Sequence, residues 1–216
     1  MVSHSEILNQ LLDEKVVAIV RLDSGEQLIR VAEALQAGGI PVIEFAFSTP
    51  GALDMLKEAS VHFGGKVLLG AGTVLDPETA RAAILAGAEF IVTPTVNLQT
   101  IAICKRYGKP IVAGAMTPTE MMTVWEAGAD LVKVFPAGSI GGPDYIKAVL
   151  APLPQLRLVP TGGVSSDNAA QFFRAGAAAV AVGGSLVDKK AVANQDWAAV
   201  TVEAKRLVAA VRGVVA

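Results

Sequence analysis

Residues 117–136, TPTEMMTVWEAGADLVKVFP, hold a helix, its stop signal and the strand that follows, and that order decides how the whole chain is read. Thr117-Pro118-Thr119-Glu120 is a helix start. A hydroxyl just before a helix can accept from an orphan N–H, and proline suits the first turn, where its missing N–H is not needed. Helical spacing runs on to Ala127-Gly128-Ala129, where a glycine just past the helix supplies a left-handed cap. Leu131-Val132-Lys133-Val134-Phe135-Pro136 then reads as a short strand buried on both faces, interrupted only by its lysine.

The same cycle recurs on either side. Strand-like runs lie near 16–20, 41–46, 66–69, 90–93, 110–113, 131–135, 157–160 and 178–182. Amphipathic stretches such as Gly25 to Ala37 and Pro77 to Ala86 separate them, the second opened by Asp76-Pro77-Glu78. The glycine stop returns in Ala37-Gly38-Gly39, Ala86-Gly87-Ala88 and Ala175-Gly176-Ala177. About eight βα repeats predict an α/β chain folded as a (β/α)8 TIM barrel, one domain over residues 1–216. An extra helix near residues 4–13 is expected to close the N-terminal end. A doubly wound open sheet shares this pattern, because closure of a sheet leaves no mark in sequence.

Composition narrows the chemistry. The chain has 216 residues, 52% of them hydrophobic, which is enough for one large core. Charged residues make up 18% and the formal net charge is -2, with no basic patch, so neither nucleic acid nor membrane is an expected partner. The start, Met1-Val2-Ser3-His4-Ser5-Glu6, lacks the basic region of a signal peptide. Ala175 to Val187, the most apolar stretch, is too short and glycine-rich to span a bilayer. One cysteine, Cys104, allows no intrachain disulfide and fits a reducing cytoplasm. His4 lies in the N-terminal segment and His62 near an expected loop; with one cysteine they make no transition-metal set, so no metal is expected. The chain has neither G-x-G-x-x-G opening a βα unit nor G-x-x-x-x-G-K-[ST], so no nucleotide cofactor is expected.

Lys133 is the anomaly. Burial disfavours an ammonium, so a lysine inside a strand either finds a partner or gives up its proton. The neutral amine is a nucleophile for ketones, which points to Schiff-base chemistry. A structural ion pair, or a side chain reaching the strand end, is the plainer alternative. Glu44 breaks Pro41-Val42-Ile43-Glu44-Phe45-Ala46-Phe47 in the same way. Burial raises a carboxyl toward neutral pH, where it can move protons. Two strands each placing one charge inside favour function over packing.

In a barrel the chemistry gathers at the C-terminal ends of the strands. Arg21 follows the first strand-like run, Gly70-Ala71-Gly72-Thr73 the third, Thr93-Pro94-Thr95 ends the fourth and Gly114 follows the fifth. Thr161-Gly162-Gly163 and Gly183-Gly184-Ser185 follow the last two. These paired glycines expose backbone N–H groups where barrels frequently bind phosphate, although tight turns alone also call for glycine. Ser185 can add a hydroxyl. Thr73 and Arg21 suit a carboxylate, or a helix cap and a solvated surface respectively. Phe135 either walls the lysine or is core. Met116, Met121, Met122 and Trp125 read as packing or subunit contacts.

These residues resemble a known family. Ile43-Glu44-Phe45-Ala46-Phe47, Gly70-Ala71-Gly72-Thr73-Val74, Val132-Lys133-Val134-Phe135-Pro136-Ala137, Pro160-Thr161-Gly162-Gly163-Val164 and Val182-Gly183-Gly184-Ser185 occur in the order found in bacterial 2-keto-3-deoxy-6-phosphogluconate (KDPG) aldolases. That group includes the 4-hydroxy-2-oxoglutarate (KHG) aldolases, and the resemblance runs from about Val16 to Val187. It implies a homotrimeric class I aldolase acting on a small keto acid without a metal or other cofactor. It further implies that Lys133 forms the Schiff base and Glu44 is the general acid/base. Thr73 then contacts the pyruvate carboxylate, Thr161 lies near the substrate, and Gly162, Gly163, Gly184 and Ser185 hold the phosphate. Several members carry an arginine four positions after the glutamate; here that position is Ser48, and the resemblance offers Arg21 in its place. Relatives acting on the galactonate epimer tend to lack the threonine at 161. Another phosphate-binding barrel, such as an epimerase or a thiamine-phosphate-type synthase, is the rival reading, and a non-enzymatic scaffold the third.

Overall fold

A computed structural model describes residues 2–23 and 27–215. Eight strands lie in one parallel sheet: β1 (Val16–Val20), β2 (Val42–Ala46), β3 (Leu68–Gly72), β4 (Phe90–Val92), β5 (Ile111–Ala115), β6 (Leu131–Val134), β7 (Leu158–Pro160) and β8 (Val180–Val182). Helices alternate with them: α1 (His4–Glu14), α2 (Leu28–Ala37), α3 (Ala52–Phe63), α4 (Pro77–Leu85) and α5 (Leu98–Arg106). The second half adds α6 (Pro118–Glu126), α7 (Gly142–Leu150), α8 (Ala169–Arg174), α9 (Lys189–Ala193) and α10 (Trp197–Val215). Among the described residues no helix is long and apolar enough to cross a membrane.

Strand order runs β7-β6-β5-β4-β3-β2-β1-β8, so the sheet curls until its last two strands meet. They meet lightly, through the bridge between Thr161 and Ala181 and the bond from the Ala178 N–H to the Leu158 carbonyl at 2.9 Å. This nearly closed barrel is the expected (β/α)8 fold and removes the open-sheet alternative.

Period-two alternation divides the apolar strand residues between two cores. Outward residues such as Val16, Ala18, Ile43, Phe45, Val132 and Val134 pack against the surrounding helices. Inward residues such as Val17, Val42, Phe90, Val112, Leu131 and Val159 fill the barrel. Ile7 and Leu11 of α1 join this inner cluster from below, so the predicted N-terminal helix acts as a plug. A capping box between Ser3 and Glu6 starts α1, and the Thr117–Glu120 box read from sequence starts α6. Asp76 caps α4, accepting from the Thr79 N–H at 2.6 Å. The predicted start of the second helix at Gly25 lies outside the described residues. His62 sits in the last turn of α3, against Glu33, rather than near a loop.

Two strand ends extend further than expected. Gly70, Ala71 and Gly72 belong to β3 instead of following it, and Gly114 belongs to β5. Glycine usually weakens a strand, but here each one makes room. A Cβ on Gly70 would lie 2.3 Å from the Phe90 ring, and one on Gly114 would lie 2.3 Å from the Pro94 backbone.

Candidate active site

The upper layer of the barrel follows from the same alternation. Glu44 continues the inward row begun by Val42, Lys133 the row of Leu131, and Thr161 the row of Val159. Glu44 and Lys133 are 1% and 5% exposed. Lys133 lines the floor of a cavity of about 700 Å³ that opens at the C-terminal ends of the strands, and Glu44 lies beside it, enclosed by protein. Lys133 Nζ lies 4.0 Å from Glu44 Oε1, too far for a hydrogen bond but close enough for strong attraction in a dry interior.

Among the described residues neither carboxylate oxygen of Glu44 has a hydrogen-bond partner. An unpaired buried carboxylate is costly, and burial pushes the Glu44 carboxyl above its ordinary range while Lys133 and, more weakly, Arg21 pull the other way. The group is thus disposed to hold a proton and release it. Gly72 explains how the carboxyl fits: a Cβ there would lie 1.7 Å from Glu44 Oε1. Sequence reasoning missed this role, because a glycine inside a strand announces only that something comes close.

Phe135, the first residue after β6, is 40% exposed and therefore not core. Lys133 Nζ stands 5.5 Å from its ring centroid, within cation–π range. Arg21 and Thr73 also come together, with Arg21 Nη2 donating to Thr73 Oγ1 at 3.2 Å. Thr73 adopts φ 57°, a left-handed conformation unfavourable to a β-branched residue. Such strain, on the order of 1–3 kcal/mol, persists only where the surrounding structure over-determines it. Ser48 is exposed and is not among the residues lining the cavity.

Thr161, Gly162, Gly163, Gly184 and Ser185 line the cavity beyond the ends of β7 and β8. Thr161 is buried and its hydroxyl donates to the Val159 carbonyl at 3.3 Å. Gly162 and Gly163 have φ of 84° and 79°, so the turn itself calls for glycine. Gly184 differs: its φ is ordinary and a Cβ there would meet nothing within 4 Å. Neither turn geometry nor packing explains that glycine, and its effect is to leave the backbone bare. The Ser185 hydroxyl donates to the Val164 carbonyl at 2.7 Å, tying the two glycine loops together. Asn168, unremarked in the sequence, clamps the first loop, donating to the Gly163 carbonyl at 2.8 Å and accepting from the Ser165 N–H at 2.9 Å. Lys189 also went unnoticed and lines the cavity; its nearness to Ser185 in the chain was the available signal. Among the described residues no three His, Cys, Asp or Glu side chains gather as a metal-ligand set.

Comparison with known proteins agrees with this geometry. The family profile described as KDPG and KHG aldolase matches residues 7–202. The chain is 34% identical to the 2-dehydro-3-deoxy-phosphogluconate aldolase of Haemophilus influenzae, covering 89% of this chain and 90% of that one. It is 36% identical to the 2-dehydro-3-deoxy-6-phosphogalactonate aldolase of Escherichia coli K12, over 79% of this chain and 83% of the other. A crystal structure of the Legionella pneumophila KDPG aldolase, with pyruvate captured as a covalent carbinolamine, superposes with a TM-score of 0.85 at 28% identity, covering 95% and 98% of the two chains. Together with the barrel and its buried acid–amine pair, these matches place the chain in the KDPG and KHG aldolase family, and it is an aldehyde-lyase.

Proposed function

We propose that the protein is a class I aldolase that cleaves KDPG to pyruvate and glyceraldehyde 3-phosphate through a Schiff base on Lys133. The observation that carries this reading is the pair itself: an amine 4.0 Å from a carboxyl that is fully buried and hydrogen-bonded to nothing. An ion pair kept for stability alone would close that distance and satisfy the remaining lone pairs.

In this mechanism neutral Lys133 adds to the C2 ketone and the carbinolamine loses water to give an iminium. Glu44 takes the proton from the C4 hydroxyl, directly or through a water. The C3–C4 bond breaks, its electrons flow into the iminium, and the aldehyde departs. Protonation of the resulting enamine at C3 and hydrolysis release pyruvate and restore the amine. Phe135 keeps this centre apolar. Thr73, with Arg21 bonded to it, binds the substrate carboxylate, so Arg21 stands in for the arginine absent at Ser48. Thr161 contacts the substrate, and the backbone N–H groups of Gly162, Gly163, Gly184 and Ser185 hold the phosphate.

The same site suits 4-hydroxy-2-oxoglutarate, which shares the keto-acid half. The galactonate epimer is the second reading, favoured by the identity to the Escherichia coli enzyme; Thr161 favours the gluconate substrate. A cytoplasmic homotrimer belongs to this proposal too. Exposed Leu75, Leu98 and Met116 follow three consecutive strands, β3 to β5, and offer apolar surface for subunit contact.

Borohydride reduction with pyruvate, followed by intact mass, tests the chemistry. A single pyruvate adduct is expected, absent from Lys133→Ala. No adduct, or one that survives this substitution, removes the Schiff-base mechanism.

A further inference from the structure

A phosphorylated substrate of the kind proposed above would bring a carboxylate and a phosphate dianion into one cavity. The described lining residues include three cationic side chains, Arg21, Lys133 and Lys189, and no carboxylate. Two of the three have other work. Arg21 is bonded to Thr73 at the carboxylate end, and Lys133 turns into the imine nitrogen. The glycine loops offer only neutral N–H groups, and the Ser185 hydroxyl already donates to Val164. This leaves Lys189 to balance the phosphate charge.

Lys189 is the first residue of α9 and lies four positions beyond Ser185, so it is carried by the same segment as the second glycine loop. Its ammonium pairs with Asp23, just past β1, at 3.1 Å. The two side chains are 69% and 92% exposed. An ion pair so open to water contributes little and exchanges readily for a stronger anion. A phosphate dianion at the cavity wall, partly shielded from solvent, is the stronger competitor.

We infer that Lys189 is a specificity-determining residue that leaves Asp23 to bind the terminal phosphate of the substrate, making the cavity selective for phosphorylated over unphosphorylated keto acids. Asp23 is then a competing anion that holds the lysine at the mouth when no substrate is present. This rests on the aldolase reading but is separable from it. Turnover of phosphorylated substrate by the wild type tests the reading, and the Lys189 variants test the inference.

The experiment measures kcat and KM on KDPG and on its unphosphorylated counterpart, 2-keto-3-deoxygluconate, for the wild type, Lys189→Ala, Lys189→Arg and Asp23→Asn. In Lys189→Ala the preference for phosphorylated substrate, as a ratio of kcat/KM values, is expected to fall about tenfold, the size of one charge-assisted contact. Most of the loss should appear in KM, with a weaker dependence of KM on ionic strength. Lys189→Arg should restore most of the preference, and Asp23→Asn should raise it. An unchanged ratio in Lys189→Ala, or an equal loss on both substrates, overturns the assignment. Should the wild type fail to turn over KDPG, calorimetric titration with inorganic phosphate decides instead: equal affinity in the wild type and Lys189→Ala overturns it, and weaker binding in the variant supports it.

Discussion

At the floor of the cavity Glu44 and Lys133 are 1% and 5% exposed, whereas at its mouth Asp23 and Lys189 are 92% and 69% exposed. Both are acid–amine pairs, and the solvent around them separates their uses. Water at the mouth screens charge, so that pair is loose and replaceable. Its exclusion at the floor makes a charge expensive and disposes Glu44 to hold a proton, which suits acid–base work. The mouth pair is bonded at 3.1 Å, and the floor pair stands apart at 4.0 Å with Glu44 unsatisfied. Distance alone would rank them the wrong way round.

Substitutions on the two levels should therefore fail differently. Lys133→Arg, a change that keeps the charge, is expected to reduce aldol cleavage to background in a coupled assay for pyruvate, because a guanidinium stays protonated and cannot add to a ketone. Glu44→Gln should lower kcat by about 10²–10⁴-fold, the usual range for losing a general acid/base.

Glu44→Gln also carries a signature in stability. The folded carboxyl titrates above its ordinary value of 4.5, so the folded state holds the proton more tightly than the unfolded chain. Its favourable contribution is complete below 4.5 and is lost as pH rises through the raised value. The melting temperature of Glu44→Gln relative to the wild type should thus climb as pH increases from 4.5. A flat difference across that range would show that Lys133 fully compensates the buried charge.

Gly72→Ala moves Glu44 without altering its chemistry. A displacement of the carboxyl by the new methyl should cost about 10²-fold in kcat, a typical penalty for misplacing a reacting group. The crystal structure of the variant should show Glu44 shifted. The smallest effect belongs to the mouth level: Gly184→Val should raise KM for the phosphorylated substrate about tenfold, by covering a backbone donor. Its unfolding free energy should stay within about 0.5 kcal/mol of wild type, since no neighbour lies within 4 Å of that Cβ.

The floor was legible in the sequence and much of the mouth was not. Lys133 and Glu44 stand out because a charge inside a β-branched run violates its surroundings. Thr73, Thr161 and the two glycine pairs could be placed at strand ends. Closure of the sheet rests on a contact between Thr161 and Ala181, far apart in sequence and marked by nothing local. The glycines within β3 and β5 were set outside their strands because local propensity cannot see Glu44 or Pro94 arriving from the neighbouring strand. Lys189 escaped because an exposed lysine starting a helix is unexceptional until the cavity beside it is known.

The helical plug beneath the barrel has a consequence for traffic. With Ile7 and Leu11 seated in the lower end, the described residues fill the barrel on that side and leave the cavity at the C-terminal ends of the strands. On the proposed mechanism a fragment tethered to Lys133 would occupy the innermost position, so the untethered fragment would leave before it and, in the reverse direction, arrive after it. Such a layout would impose an order on substrates and products through depth alone.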